Sequence, residues 1–412
     1  MWWEDTVFPP PSAERLPREV DVVIVGAGFT GLAAALEMSR RGRSSVVLER
    51  ATLGAGASGR NAGMVHAGLR YDLAALERRY GAAGRALHQV SADAYAFVGR
   101  LAGEVAPDSC YESGGWLHLA HSEGAMRRLE RSEASRQRGG ETTDVLAGRA
   151  LATETGAHGF HGALLTDNGS GIHPARYLAG LACAATAAGA QIAERVRVLG
   201  VTRDGTSLTA STSAGRVRAR DVLVATNGYT DRAFPQLRRR VIPIGSYVVA
   251  TEPLDRSLAA AVSPRRRMMS DTRNFLHYWR LSPDDRLIFG GRTSFTPVSI
   301  GRARDRLHAA MTHAYPQLRD ARISHAWMGN VGFTFDRIPH MGRADGVTYA
   351  MGYCGSGVAM ASWFGTLAAA WIAGGERNAF LDLPFPTLSA YRGTPWFLPA
   401  VGWYYQIRDL LG

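Results

Sequence analysis

The stretch DVVIVGAGFTGLAAALEM, Asp21 to Met38, decides the fold. Its β-branched run Val22 to Val25 predicts a strand buried on both faces. Gly26, Gly28 and Gly31 follow with G-x-G-x-x-G spacing, and the Ala/Leu-rich run behind them predicts a helix. A strand, a glycine turn and a helix start suit a pyrophosphate: the turn admits close backbone approach, and the helix N-terminus offers unpaired N–H groups to an anion. The next predicted strand, SSVVLE, ends in Glu49, near the spacing of a carboxylate that bonds ribose hydroxyls and repels a 2′-phosphate. This context reads as a dinucleotide site and disfavours NADP.

Working outward, the 412 residues are enough for two domains, and 46% hydrophobic content is that of a globular protein. The first twenty residues contain no basic stretch followed by an apolar run, and no window of about 18 residues is apolar and uncharged. Neither a secretory signal nor a membrane span is expected. Cys110, Cys183 and Cys354 are too far apart for a disulfide framework or a metal site, which fits a reducing cytoplasm. All 47 basic residues are arginine, so Schiff-base and lysine-base mechanisms are excluded. The net charge of +11 includes the runs Arg238 to Arg240 and Arg265 to Arg267, which lack interleaved aromatics. They read as solvated surface, and no nucleic-acid partner is expected.

Two later segments share the opening grammar: RDVLVATNGYT, a strand ending in Thr226, Asn227 and Gly228, and VTYAMGYCGSGVAMASWFGTLAAAWIAGG, a strand, glycine turn and helix stopped by Gly374 and Gly375. Between them, residues 87–160 are charged and broken up, and residues 240–325 alternate with period 2. The expected fold is α/β: a doubly wound, Rossmann-like nucleotide domain (1–86, 161–235 and 326–385) and an inserted, mainly antiparallel β substrate domain (87–160 and 236–325). The aromatic tail, 386–412, is expected to dock as a terminal helix, with membrane-surface contact as the sharper alternative.

After Glu49 the chain runs GAGASGRNAGMVHAG, Gly54 to Gly68, too glycine-rich for a regular element and suited to close approach by a large flat ligand. Together with HPARYLAGLA, DVLVATNGYT, YWRLSPDDRLIFGGR, DRIPHMG and GYCGSGVAM, this segment resembles the D-amino-acid oxidase/sarcosine oxidase superfamily of FAD enzymes, and within it the γ-glutamylputrescine oxidoreductase type. The resemblance implies extended FAD. Gly26, Gly28 and Gly31 take the pyrophosphate; Glu49 and Arg50 take the ribose and its surroundings. Ser58, Arg60 and Asn61 lie along the phosphates and flavin edge, and Ala62, Gly63 and Met64 beside the isoalloxazine. Val196 meets the adenine through its backbone, and Thr226 and Gly228 line the phosphate side. Gly355, Ser356, Gly357 and Val358 sit at the pyrimidine end, where a helix N-terminus would stabilise the negative charge of reduced flavin. The positions where relatives attach flavin covalently fall near Gly329 and Asn61, neither a suitable nucleophile, so FAD is expected to be non-covalent.

The resemblance also implies oxidation beside nitrogen: hydride passes to flavin N5 and the imine is hydrolysed to a carbonyl compound and an amine or ammonia. Members acting on amino acids grip the carboxylate with cations, but the matching positions here are Val331, His66 and Ala359. The usual clamp is therefore missing. Replacement contacts are sought at Arg292, Arg280 and His66, with Tyr247, Tyr278 and Trp279 as pocket walls. The lysine that speeds oxygen reduction in some members falls at Phe289. The expected substrate is a small amine or N-substituted amino acid. An RNA-acting flavoprotein and a polyol-phosphate dehydrogenase on the same fold stand as alternatives.

Overall fold

The computed structural model describes residues 1–13 and 15–411. At the centre of its first sheet the strand Glu19–Val25 pairs in parallel with Ser45–Leu48 on one side and Gly215–Val224 on the other. Gln191–Ala193 and Val347–Met351 extend the parallel run outward. Val22 and Ile24 enter one apolar cluster, Val23 and Val25 another, so the strand is buried on both faces as its period-2 geometry requires. One face carries the helices Phe29–Arg40, Ala82–Val105, Pro174–Ala187 and Gly357–Ile372, which contribute Leu32, Val98, Leu178 and Phe364 to the shared core. The opposite face is closed by Leu208, Ala210 and Val217 of an antiparallel extension and by Phe234 and Leu237. Beyond Ile372, Gly374 adopts φ +90° and the N–H of Gly375 donates to the Ala370 carbonyl, the expected glycine stop.

The second sheet has eight strands, in the order Ile323–Phe333, Ile242–Thr251, Leu287–Gly291, His277–Leu281, Met268–Asp271, Trp116–Leu119, Ala163–Thr166 and Thr143–Leu146. All its pairings are antiparallel except that between Met268–Asp271 and Trp116–Leu119. Helix Ile300–Ala314, capped by Ser299, backs it with Leu307 and Met311. A small third sheet, Met64–His66, Gly169–Gly171 and Glu112–Ser113, joins the two bodies.

Three segments fall on the other side of the expected boundaries. Helix Ala82–Val105 buries Leu87, Ala94 and Leu101 in the first core, whereas residues from 87 onward were assigned to the insert. Strands Ala163–Thr166 and Ile323–Phe333 belong to the second sheet, although residues from 161 and from 326 were assigned to the nucleotide domain. Membership depends on which strand each one pairs with, and that partner is remote in sequence. The glycine-rich segment also forms regular structure, a short helix Ala57–Arg60 and the strand Met64–His66. Gly59 makes this possible, since a Cβ there would lie 2.4 Å from the Gly54 carbonyl oxygen.

The tail forms helix Leu398–Leu411. Leu398 and Tyr391 enter a core with Ile242, Ile244 and Phe333. The Asp409 carboxylate accepts from the backbone N–H groups of Asn274 and Phe275. Trp403, Tyr404 and Ile407 face outward. Among the described residues no helix is long and apolar enough to cross a membrane. Part of the second arginine run is spent internally: Arg266 bonds Asp285, and Arg267 bonds Glu154 and the Gly114 carbonyl.

Candidate functional site

The parallel strands Glu19–Val25, Gly215–Val224 and Val347–Met351 end together, and a cavity of about 1070 Å³ opens above their C-terminal ends. That is where open α/β sheets bind ligands. It exceeds the roughly 300–1,000 Å³ of most small-molecule sites, so a long ligand fits.

At one end, Gly26 turns the chain at φ +103° into helix Phe29–Arg40. Glu49 accepts from the N–H of Ala27 at 3.1 Å and of Ala51 at 2.9 Å, which fixes its carboxylate at the rim. Ser58 Oγ accepts from the Phe29 N–H at 3.0 Å. The N–H groups of Gly28 and Thr30 have no acceptor among the described residues. They are the unpaired donors a helix start leaves for an anion. Arg50, Val196 and Thr226 line this end. The Val196 N–H is spent on the Glu49 carbonyl, so only its carbonyl is left for a ligand.

At the other end, helix Gly357–Ile372 begins at the cavity wall. Gly355 has φ +111°, and Ser356 Oγ donates to the Gly68 carbonyl at 3.0 Å. Asn227 Oδ1 accepts from the Gly352 N–H at 2.8 Å and ties two strand ends together. The N–H groups of Gly357 and Val358 again lack an acceptor among the described residues. Arg60, Asn61, Ala62 and Met64 line the wall between the two helix starts. Asn61 holds that wall in shape: its Nδ2 donates to the Ala57 and Ser58 carbonyls, and its Oδ1 accepts from the Gly63 N–H.

Three glycines assigned to the cofactor lie behind the cavity wall instead. A Cβ on Gly31 would come within 1.9 Å of the Gly26 carbonyl oxygen, so this glycine lets helix and turn meet. Gly63, at φ +70°, sits 2.1 Å in the same sense from the Ile172 carbonyl oxygen. Gly228 faces the backbone of Gly332.

The second sheet supplies the remaining wall, and period 2 sorts its residues. Ser246, Val248 and Tyr278 face the cavity, the Tyr278 hydroxyl 2.8 Å from Ser246 Oγ. Tyr247, Trp279 and Phe289 point to the opposite face, into the core with Leu307 and Met311. Tyr247 donates to the Val298 carbonyl at 3.1 Å and Trp279 to the Tyr315 hydroxyl at 2.8 Å. Neither lines this cavity, and Phe289 does not mark the face that a lysine would need. Arg280 is likewise withdrawn. It is 3% exposed, donates to the Ile172 carbonyl at 3.1 Å and fills the space left by Gly63 and Gly171. Burial pushes its pKa down to about 10, so it remains charged at neutral pH and serves the framework.

His66 and Arg292 do line the cavity. His66 Nδ1 lies 2.9 Å from the Ala67 carbonyl oxygen, which can only accept, so Nδ1 carries the proton and Nε2 a free lone pair. Burial lowers its pKa, so the ring is neutral at neutral pH. Trp116 meets it edge-on and His118 stacks behind Trp116, also kept neutral by burial. Arg292 lies over the Phe333 ring, 4.7 Å from its centroid. Sequence reasoning missed Arg70, Phe333, Phe397 and Tyr405, which also line this end. No motif marks them. The tail residues could have been found only from the tail's apolar content.

The family model "FAD dependent oxidoreductase" matches residues 21–371. Gamma-glutamylputrescine oxidoreductase of Escherichia coli (strain K12) is 32% identical over 399 residues, covering 95% of this chain and 93% of that protein. The crystal structure of glycine oxidase from Geobacillus kaustophilus superposes with a TM-score of 0.76 at 22% identity, over 90% of this chain and 99% of that one. L-amino acid deaminase from Proteus vulgaris gives 0.74 at 15% identity, over 94% and 96%. The two superpositions show a shared fold.

Proposed function

The chain belongs to the FAD dependent oxidoreductase family, and from that premise we propose that it holds FAD non-covalently along this cavity and oxidises a C–N bond in an amine or N-substituted amino acid. The imine so formed is hydrolysed to a carbonyl compound and an amine or ammonia. The observation that carries the reading is the pair of helix starts with unpaired N–H groups at opposite ends of one cavity. The first suits the pyrophosphate. The second suits the ring edge that gains negative charge on reduction.

FAD supplies the hydride acceptor, and the protein supplies binding, orientation and proton control. The cavity's carboxylates are engaged elsewhere. Asp271 holds His277 and Arg273, Glu141 holds Arg136, and Asp72 caps helix Leu73–Tyr80. The neutral rings of His66 and His118 also line the cavity near the second sheet, and His66 offers its Nε2 lone pair there. Its lowered pKa makes it a hydrogen-bond acceptor for a neutral amine rather than a strong base. No thiolate competes for the flavin, since burial raises the pKa of Cys354, the cavity's cysteine.

Turnover with a dye acceptor tests the reading. Carbonyl product and reduced dye should appear in equal amounts, and acid precipitation should leave all the flavin in the supernatant. Dye reduction by polyol phosphates and not by amines, or flavin left on the denatured protein, would refute it.

A further inference from the structure

The aromatic tail and the first arginine run have no part in the C–N oxidation, and the fold brings these two sequence features together. Arg238 packs against Gly393, and its Nη2 lies 3.5 Å from the Thr394 hydroxyl, two residues before Trp396. The Thr387 hydroxyl donates to the Arg239 carbonyl at 2.6 Å. Arg240 bonds the Gln236 carbonyl, and Arg408 lies over the Tyr404 ring at 5.8 Å. None of these arginines, nor the exposed Arg392, makes an ion pair among the described residues.

Helix Leu398–Leu411 has two faces of opposite character. Leu398, Val401 and Tyr405 turn inward onto the cavity, and Gly402 meets Phe295 so closely that a Cβ would lie 3.3 Å from the ring. Trp403, Tyr404 and Ile407 share the outward face, as helical spacing requires. Of the ten large apolar side chains that stand exposed among the described residues, five lie between Leu388 and Ile407. Trp396 is 66% exposed and Trp403 75%. Single exposed apolar residues are ordinary, but such a concentration marks a contact surface. Asp409, the only acidic side chain from Pro386 to Gly412, is spent on the N–H groups of Asn274 and Phe275. The outward side of the tail therefore presents apolar rings and positive charge without an acid.

We propose that this side of the tail, with the arginine run beside it, is a docking surface for an anionic lipid bilayer. Trp and Tyr rings favour the bilayer interface, where the apolar body is dehydrated while the N–H or O–H reaches the headgroups. Arginines at the same surface are attracted to anionic headgroups. A second copy of the chain would bring another net charge of +11 against the first, which disfavours a dimer through this face. A single-stranded nucleic acid would match the charge, but its bases stack on rings set along a groove. Trp403, Tyr404 and Ile407 instead form an outward apolar strip on one helix face, which suits shallow insertion between lipids. The same helix closes the cavity, so docking sets that end of the cavity beside the bilayer.

Co-sedimentation of the FAD-loaded protein with vesicles tests the proposal. Vesicles of phosphatidylcholine mixed with phosphatidylglycerol should bind the protein, shift its tryptophan emission to the blue and release it as salt is raised. Vesicles of phosphatidylcholine alone should bind it far more weakly. Arg392→Gln and Arg408→Gln should each weaken binding to the mixed vesicles about 5-fold. The double variant Trp403→Gln, Ile407→Gln should weaken it about 10-fold or more. All of these side chains are exposed, so FAD content and melting temperature should stay at the parent's values. Equal binding to both kinds of vesicle, no binding to either, or unchanged binding in the double variant would overturn the proposal. So would self-association in lipid-free buffer that is lost in the double variant, or single-stranded RNA that displaces the vesicles from the protein.

Discussion

Ser58 and Gly28 show how a single contact joins the cofactor loop to the glycine turn. Gly28 has φ −84°, which alanine adopts freely, yet its Cβ would lie 2.9 Å from Ser58 Oγ and only 3.8 Å from the next atom, Ser58 Cβ. Gly28→Ala must therefore push Ser58 away and break its bond to the Phe29 N–H. Ser58→Ala loses that bond without a clash, at about 1 kcal/mol. The double variant should be about as stable as Ser58→Ala alone, a coupling of about 1 kcal/mol or more. Urea unfolding of the flavin-free proteins measures the cycle, and additive losses would show that the contact does not decide the turn. If the pyrophosphate lies against Gly28, as proposed, FAD affinity should stay low in the double variant, since the new methyl remains on the cavity wall. At this scale the glycine spacing was legible in the sequence, but the division of labour among the glycines was not. Gly26 turns the chain and Gly28 opens the site, while Gly31 serves packing.

Helix Pro174–Ala187 carries a pH-sensitive cap. His173 Nδ1 accepts from the Arg176 N–H at 3.2 Å, so the neutral ring is required. Burial, with Arg176 and Arg280 nearby, pushes its pKa down to about 4 from 6.5. Because the folded value lies below the unfolded one, the unfolded chain takes up a proton first as pH falls. The stabilisation is complete above about pH 6.5 and is lost between there and about pH 4, on the order of 3 kcal/mol at most. His173→Asn keeps a good N-cap and removes the titration. Its melting temperature should fall less steeply with acid than the parent's. Some slope should remain, because His66 and His118 are also held neutral by burial. An unchanged slope would remove His173 from the account. The segment HPARYLAGLA entered the sequence reading only as part of the family resemblance, and the cap is a finding of the structure. The sequence did not show that Trp2 would cover the ring at 4.7 Å, because that contact joins the N-terminus to a distant helix.

Across the whole molecule, legibility follows sequence distance. The strand–turn–helix units around Gly26 and Gly355 were readable because their signals are local. The assignment of Ala163–Thr166 and Ile323–Phe333 to the second sheet was not, since it rests on pairing with Trp116–Leu119 and Ile242–Thr251. Arg70 was invisible for the same reason: its environment is made by Phe333, far along the chain. The tail docks as a helix, as its bland reading expected, and its inner face closes the cavity through Leu398, Val401 and Tyr405. The central claim, C–N oxidation of a neutral amine at bound FAD, is met most directly by anaerobic stopped-flow bleaching of the flavin with a panel of amines and amino acids from about pH 6 to 10. With His66 already neutral and the cavity's carboxylates engaged, the rate should rise with pH through a single apparent pKa that shifts with the amine used. Bleaching that is independent of pH, or that occurs with polyol phosphates and with no amine, would contradict it.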